Sequence, residues 1–269
     1  MRIRSTVVIP ASGEGLEAAL ESAADAVALT LNDGTRAVGA LRTAAVAAIP
    51  RIRAAGKLAL AIVNHPRTLL LRDDLDAIVG PDLAGVFLPH AREPQDVRDL
   101  AVGLREFEYN RGIEPGDIAA FPMIDSAAGL LRASDIAGAA PRVRGLVFHS
   151  AGYARDIGGR DEEKGPRLAY ARGMLVTATR AHDGMPLTTA SGLELLDQSH
   201  YGFAGALLGD TIAVVIANTA FTPTPATVER SREEVAAYAA ARAEGVWVAR
   251  LGTQIVDAAR ARKAQQNLE

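Results

Sequence analysis

The sequence predicts a parallel α/β fold, closed as a (β/α)8 barrel with a C-terminal helical extension. Three observations carry this. About eight short apolar runs recur along the chain, each continuous rather than alternating, as strands buried on both faces require. Alanine-rich stretches of helical composition separate them, and a single alternating series of this kind argues for a parallel sheet. The 269 residues match the roughly 250 that eight such units occupy. An open doubly wound sheet is the alternative architecture. No Gly-x-Gly-x-x-Gly follows the first run, which weakens its dinucleotide-binding version.

The strand candidates are Ser5–Ile9, Ala26–Leu31, Leu58–Val63, Gly85–Leu88, Ile118–Ile124, Gly145–Phe148, Leu187–Thr189 and Phe203–Leu208. Helices are expected at Gly15–Ser22, Gly39–Ala54, Glu93–Arg105, Ser126–Ala137 and Pro166–Ala181, with a short one at Leu193–Ser199. Pro94 falls in a first turn, where a missing N–H costs little. A further apolar run, Thr211–Asn218, follows the eighth strand. Ala220–Pro225 reads as a stiff extended linker, because proline fixes its own φ and turns the preceding residue away from helix. Thr227 is the expected N-cap of a long helix through Arg242, and Ile255–Ala264 is amphipathic. The barrel is thus assigned to residues 1–219. Residues 220–269 form an extension, packed on the barrel or on a neighbouring subunit.

Composition removes several function classes. Lys and Arg number 29 against 32 Asp and Glu, for a net charge of −3, so nothing favours nucleic acid or an anionic membrane as partner. Aromatics are 4%, too few for a base-stacking platform. There is no cysteine, which excludes disulfides, thiolate metal sites and a cysteine nucleophile. The apolar run at the start is too short for a signal peptide, and no stretch reaches the roughly 20 residues of a membrane span. The expected setting is the cytoplasm and the expected partner a small molecule.

A barrel of this kind carries its chemistry at the C-terminal strand ends. Those positions hold Asn32 and Asp33, Asn64 and His65, Pro89 and His90, Asp125 and Ser126, and His149 and Ser150, followed by Tyr153, Arg155 and Asp156. His90, Asp125 and His149 end three consecutive strands. With neighbouring strands about 4.8 Å apart, their side chains can converge. Two imidazoles and a carboxylate suit a transition metal. They equally suit an acid–base set with Asp125 orienting a histidine, or plain hydrogen bonding that lines a pocket. Asp33-Gly34 also fits a simple turn. The polar loop Gly158–Gly165 fits either a solvated loop or a lid. His182 and His200 read as surface residues.

Several segments also resemble a known family. Arg4-Ser5-Thr6-Val7-Val8-Ile9-Pro10 is similar to an opening Arg-Ser-x-Leu-Phe-Val-Pro. Ala24 to Asp33 is similar to Ala-Asp-Ala-Val-x-Leu-Asp-Leu-Glu-Asp, and Gly85-Val86-Phe87-Leu88-Pro89-His90 to Gly-Val-x-Leu-Pro-Lys. Pro122-Met123-Ile124-Asp125-Ser126-Ala127-Ala128-Gly129 is similar to Pro-x-Ile-Glu-Thr-Ala-x-Gly. Ala220–Pro225 and Gly252–Asp257 are similar to Ala-Phe-x-Pro-(Ser/Thr)-Pro and Gly-x-x-Val-Asp. In this order and over nearly the whole length, the chain resembles the citrate lyase β-subunit-like branch of the HpcH/HpaI aldolase superfamily.

That resemblance implies cleavage or formation of carbon–carbon bonds in small oxo acids or acyl thioesters. It also implies a homo-oligomer, trimer or hexamer, and a divalent ion (Mg or Mn) held by two carboxylates. The two positions align here with Asp125 and Gly152, leaving Asp156 as the nearest second acid. The lysine after Leu-Pro aligns with His90, a glycine with His149, and the substrate-binding arginine near Ile62. The lysine and histidine of the eighth strand are replaced within Gly205–Thr211. A divergent lyase would then use Asp125, His149 and His90 as catalytic groups. Asn64, Ser150, Asn32 and Asp33 would contact substrate, and Asp125 and Asp156 would be metal ligands. Two other functions remain open: a non-catalytic ligand- or partner-binding paralogue, and a thioester hydrolase in which a histidine activates water.

Overall fold

Eight parallel strands pair in sequence order, and the first pairs with the last, Ser5 to Val7 lying against Ala206 to Leu208. That closure decides between barrel and open sheet. The computed structural model describes residues 2–32, 34, 38–159, 168–190 and 192–268. The strands are β1 (Ser5–Pro10), β2 (Ala26–Thr30), β3 (Leu58–Ile62), β4 (Leu83–Leu88), β5 (Ala119–Ile124), β6 (Gly145–Phe148), β7 (Met185–Thr189) and β8 (Gly205–Leu208).

Helices follow the strands: α1 (Leu16–Glu21), α2 (Gly39–Ala54), α3 (Leu71–Ile78), α4 (Pro94–Asn110), α5 (Ala127–Leu131), α6 (Ala133–Ala137), α7 (Ser150–Asp156), α8 (Ala169–Arg180), α9 (Glu194–His200) and α10 (Val214–Phe221). The predicted helix Ser126–Ala137 is two, broken at Arg132. The linker read at Ala220–Pro225 is corrected, since α10 runs to Phe221 and Pro225 opens the next helix.

Period-two alternation divides the strand residues between two cores. Leu60, Phe87, Phe121, Val147, Leu187 and Leu207 fill the barrel interior, with the Phe87 and Phe121 rings 5.3 Å apart. Leu29, Val86, Ile124, Leu146, Phe148 and Leu208 face the helices. The interior is therefore packed, and only its C-terminal mouth is free for chemistry. One charged pair is buried beneath this scaffold: Glu108 accepts from Arg142 at 2.9 and 2.7 Å and from the backbone N–H groups of Gly116 and Ile118, each at 3.0 Å.

The chain divides into two compact units, residues 3–221 and a smaller one of 1–2 and 222–269. The smaller holds α11 (Pro225–Ala243), an antiparallel pair β9 (Ala249–Leu251) and β10 (Gln254–Val256), and α12 (Ala258–Leu268). The N-cap of α11 is Thr224 rather than Thr227: its hydroxyl accepts from the Thr227 N–H at 3.2 Å, with Pro225 in the first turn. The amphipathic stretch Ile255–Ala264 spans the end of β10 and most of α12. Among the described residues no helix is long and apolar enough to cross a membrane.

Candidate active site

Strand register brings Asp125 and His149 together. Ile124 pairs with Phe148, so the next residue on each strand leaves the sheet at the same level. The His149 N–H donates to the Ile124 carbonyl at 2.9 Å. Ala119, Phe121 and Met123 on β5 and Val147 on β6 point into the barrel. Asp125 and His149 continue those two inward rows at the mouth.

His90 arrives differently. By alternation from Phe87, Pro89 continues the inward row and His90 should point outward. Instead His90 adopts a left-handed backbone, φ 57°, and its Nδ1 hydrogen-bonds the Asp125 Oδ2. The His90 side chain is 59% exposed and that of Asp125 only 7%. The other carboxylate oxygen, Oδ1, is buried without a partner. A buried acceptor left open this way is costly unless a ligand supplies the missing donor.

The third group sits over Gly152. A Cβ placed on Gly152 would lie 2.6 Å from the His149 Nδ1 and 2.8 Å from the Asp125 Cβ. The imidazole and the carboxylate thus flank one small space above the first turn of α7. Neither ring nitrogen of His149 has a hydrogen-bond partner among the described residues.

Their environments push the two imidazoles apart in acidity. The hydrogen bond that His90 makes to the Asp125 carboxylate raises the pKa of His90 above its ordinary value, against burial and the charge of Arg92. Burial lowers that of His149, with Arg155 and His90 acting in the same direction and Asp125 opposing. Two imidazoles whose pKa values are pushed in opposite directions are suited to serve as acid and base in one site. His65 is a third imidazole near the mouth. Its Nδ1 accepts from the Arg67 N–H at 3.3 Å, its Nε2 stands 3.5 Å from Asp96, and burial lowers its pKa.

Other sequence-predicted contacts are turned to structural work. Asn64 is buried, and its amide donates to Asp74 of α3 at 2.8 Å and to the Leu31 carbonyl at 3.3 Å. The Ser150 hydroxyl donates to the Thr189 carbonyl at 3.1 Å. Asn32 Oδ1 accepts from the Gly34 N–H at 2.9 Å, closing a turn. Asp33 lies outside the described residues, as does most of the polar loop 158–165. Asp156 is exposed and its Oδ2 holds the Ala127 N–H at 2.8 Å, at the start of α5. Arg92, two residues beyond His90 on the same loop, was not singled out by strand-end reading. Its position in the chain was the available signal.

The HpcH/HpaI aldolase/citrate lyase family model matches residues 9–196. The chain belongs to this family. A (3S)-malyl-CoA thioesterase from Cereibacter sphaeroides is 27% identical over 98% of the chain and 93% of that protein. The citrate lyase subunit beta of Escherichia coli is 28% identical over 69% of the chain and 64% of that protein. Such relatives support the citrate lyase β-like branch. Among solved structures, a citrate lyase from Burkholderia xenovorans superposes with a TM-score of 0.74 at 15% identity, covering 100% of this chain and 91% of that one. A Mycobacterium tuberculosis protein solved with magnesium, acetoacetate and coenzyme A gives 0.68 at 22% identity, covering 98% and 96%. At these identities the likeness is one of fold.

The magnesium in that neighbour invites a test of the donor set here. A hard divalent cation takes about six oxygen ligands. Asp125 offers one open oxygen, its other being engaged by His90. Gly152 offers none, and the space above it holds imidazole. Among the described residues no group of three or more His, Cys, Asp or Glu is placed to hold a metal. Asp156, the second acid, has its Oδ2 engaged by the Ala127 N–H, so the described side chains offer fewer free anionic oxygens than two open carboxylates would and fit a resident divalent ion poorly.

Proposed function

We propose that the chain is a divergent carbon–carbon lyase acting on a small oxo acid or acyl thioester, with His149, His90 and Asp125 as its acid–base machinery. The supporting observation is the shared carboxylate: Asp125 bonds His90 on one side and flanks the His149 ring above Gly152 on the other. In the cleavage of a 3-hydroxyacyl substrate, neutral His149 takes the hydroxyl proton. The carbon–carbon bond then breaks, the new carbonyl forms, and the bonding pair moves into the acyl group as an enolate. The His90 imidazolium, backed by Asp125, donates a hydrogen bond to the enolate oxygen. The proton held by His149 then returns to the enolate carbon. A positioned general base of this kind contributes about 10²–10⁴-fold. Arg92 and Arg155, whose charges act on these imidazoles, serve an anionic substrate.

Thioester hydrolysis is the second reading, favoured by the thioesterase relative that matches 98% of the chain. There His149 would deprotonate water, the hydroxide would add to the thioester carbonyl, and the thiol would leave with that proton. One substrate separates the readings. With (3S)-malyl-CoA, glyoxylate released together with an acetyl thioester supports the lyase, whereas free thiol without glyoxylate supports the hydrolase. Substrate binding without either product, over a panel of hydroxyacyl thioesters, returns the protein to the non-catalytic paralogue. We further propose a homo-oligomer, trimer or hexamer, which light scattering tests directly.

A further inference from the structure

The space above Gly152 admits one occupant. Any side chain at this position must start from a Cβ that lies 2.6 Å from Nδ1 and 3.2 Å from Cε1 of His149, and 2.8 Å from the Cβ of Asp125. Real Cβ atoms essentially never stand closer than 3.0 Å to another heavy atom. The imidazole can swing away. The Asp125 Cβ cannot, because it is fixed to the end of β5, whose Met123 and Ile124 are paired with β6. A carboxylate on residue 152 therefore needs the His149 ring to leave its place and the first turn of α7 to give by a few tenths of an ångström at the Asp125 Cβ. The resemblance puts a ligand carboxylate at 152, and the structure puts the ring of His149 there.

We infer that His149 and Gly152 act as one steric determinant, the ring filling the room of a second metal-binding carboxylate, so that this mouth does its proton transfers without a divalent cation. This rests on the acid–base reading above but is tested apart from it. The two oxygens of Asp125 agree with it: one is taken by His90 and the other is buried and open to a single donor. Such a carboxylate suits a substrate hydroxyl or a water better than a hard ion that also needs a second anionic ligand.

The test is Mn²⁺ binding, followed by electron paramagnetic resonance and calorimetry. It compares the wild type, His149→Ala, Gly152→Asp and the double variant, each checked for its fold by circular dichroism. The wild type and His149→Ala are expected to leave millimolar Mn²⁺ free. The double variant, with the ring removed, a carboxylate supplied and only the Asp125 Cβ contact left for α7 to relieve, is expected to bind at least about tenfold more tightly, the low end of what even an outer-shell partner of a metal site contributes. A folded double variant that still binds nothing overturns the steric reading. So does a wild type that binds one Mn²⁺ per chain and loses it in Asp125→Ala. If the double variant does not fold, chelation of the wild type decides: turnover unchanged by EDTA supports the inference, and turnover lost and restored by Mn²⁺ overturns it. A wild type that neither binds Mn²⁺ nor turns over removes the lyase proposal and with it the proton-transfer part of the inference, while the steric part is still decided by the double variant.

Discussion

Replacing Asp125 by alanine separates a chemical role from a structural one. Two terms set the effect on stability. The His90–Asp125 pair is lost, but the imidazole is 59% exposed, so solvent screening limits the pair to less than about 1 kcal/mol. The unpartnered buried oxygen Oδ1 is removed as well, and leaving such an atom unmade costs roughly 1–3 kcal/mol. The two nearly cancel or favour the variant. A gain of about 1 kcal/mol raises Tm by about 2–4 °C in a domain of this size. Activity moves the other way: with the carboxylate gone, His90 loses what holds it charged and turned inward. The expected loss in kcat is about 10²–10⁴-fold, that of a missing acid–base partner. The assay is steady-state turnover of the substrate identified above, beside a reversible denaturation curve. A variant that loses more than about 2 kcal/mol of stability yet keeps its kcat would refute the reasoning, because Asp125 would then be a framework residue.

The pH profile of kcat/KM should be a bell with both limbs displaced outward from the ordinary histidine value. His149 must be neutral to accept a proton, and burial lowers its pKa, so activity falls only as pH drops below that lowered value. His90 must be charged, and Asp125 raises its pKa, so activity falls as pH rises past that raised value. Imidazole NMR titration assigns the limbs, and a profile without an alkaline fall rejects the His90 role. Glu108→Gln should cost about 3–5 kcal/mol by leaving Arg142 buried without its counter-charge, while the folded fraction keeps its kcat; calorimetry with active-site titration reads both. Asn64→Ala should cost about 1–3 kcal/mol, because Asp74 loses a buried donor. KM is expected to stay unchanged, and a large rise in KM with stability intact would put Asn64 back on the substrate.

The barrel was legible because each strand is a continuous apolar run, and burial on both faces leaves no other way to write such strands. The mouth was legible in part, since strand ends are where that fold keeps its polar residues. What escaped depends on side-chain fate rather than position. Asn64 looks like a free donor until α3 is seen: Leu71, Leu75 and Ile78 bury one face of that helix and bring Asp74 with them. Their spacing is in the sequence, but a helix of eight residues within the stretch between β3 and β4 reads equally well as loop. The resemblance marks Gly152 as the place of a missing ligand, but without the first turn of α7 among the expected helices its place as the floor beneath His149 does not follow. Arg92 carries no motif at all, and only its loop places it beside His90.

His90 is the position where local and global preferences conflict. A left-handed residue other than glycine costs roughly 1–2 kcal/mol, and histidine is among the side chains that tolerate it. The turn also returns the chain to the barrel between the end of β4 at Leu88 and the start of α4 at Pro94: the Ala91 N–H donates to the Met123 carbonyl of β5 at 3.1 Å, and Ala91 is fully buried. A right-handed or extended residue here would leave Pro89 at the mouth and send the imidazole outward by alternation. The left-handed turn is what reverses it onto Asp125. The Asp96 carboxylate of α4 steadies the segment that follows, accepting from the N–H groups of Arg92 at 3.0 Å and Glu93 at 3.2 Å. A strained turn that returns Ala91 to β5, brings the imidazole onto Asp125 and is followed at once by a fixed helix cap has the arrangement expected where a fold gives up a little stability to aim a reactive group.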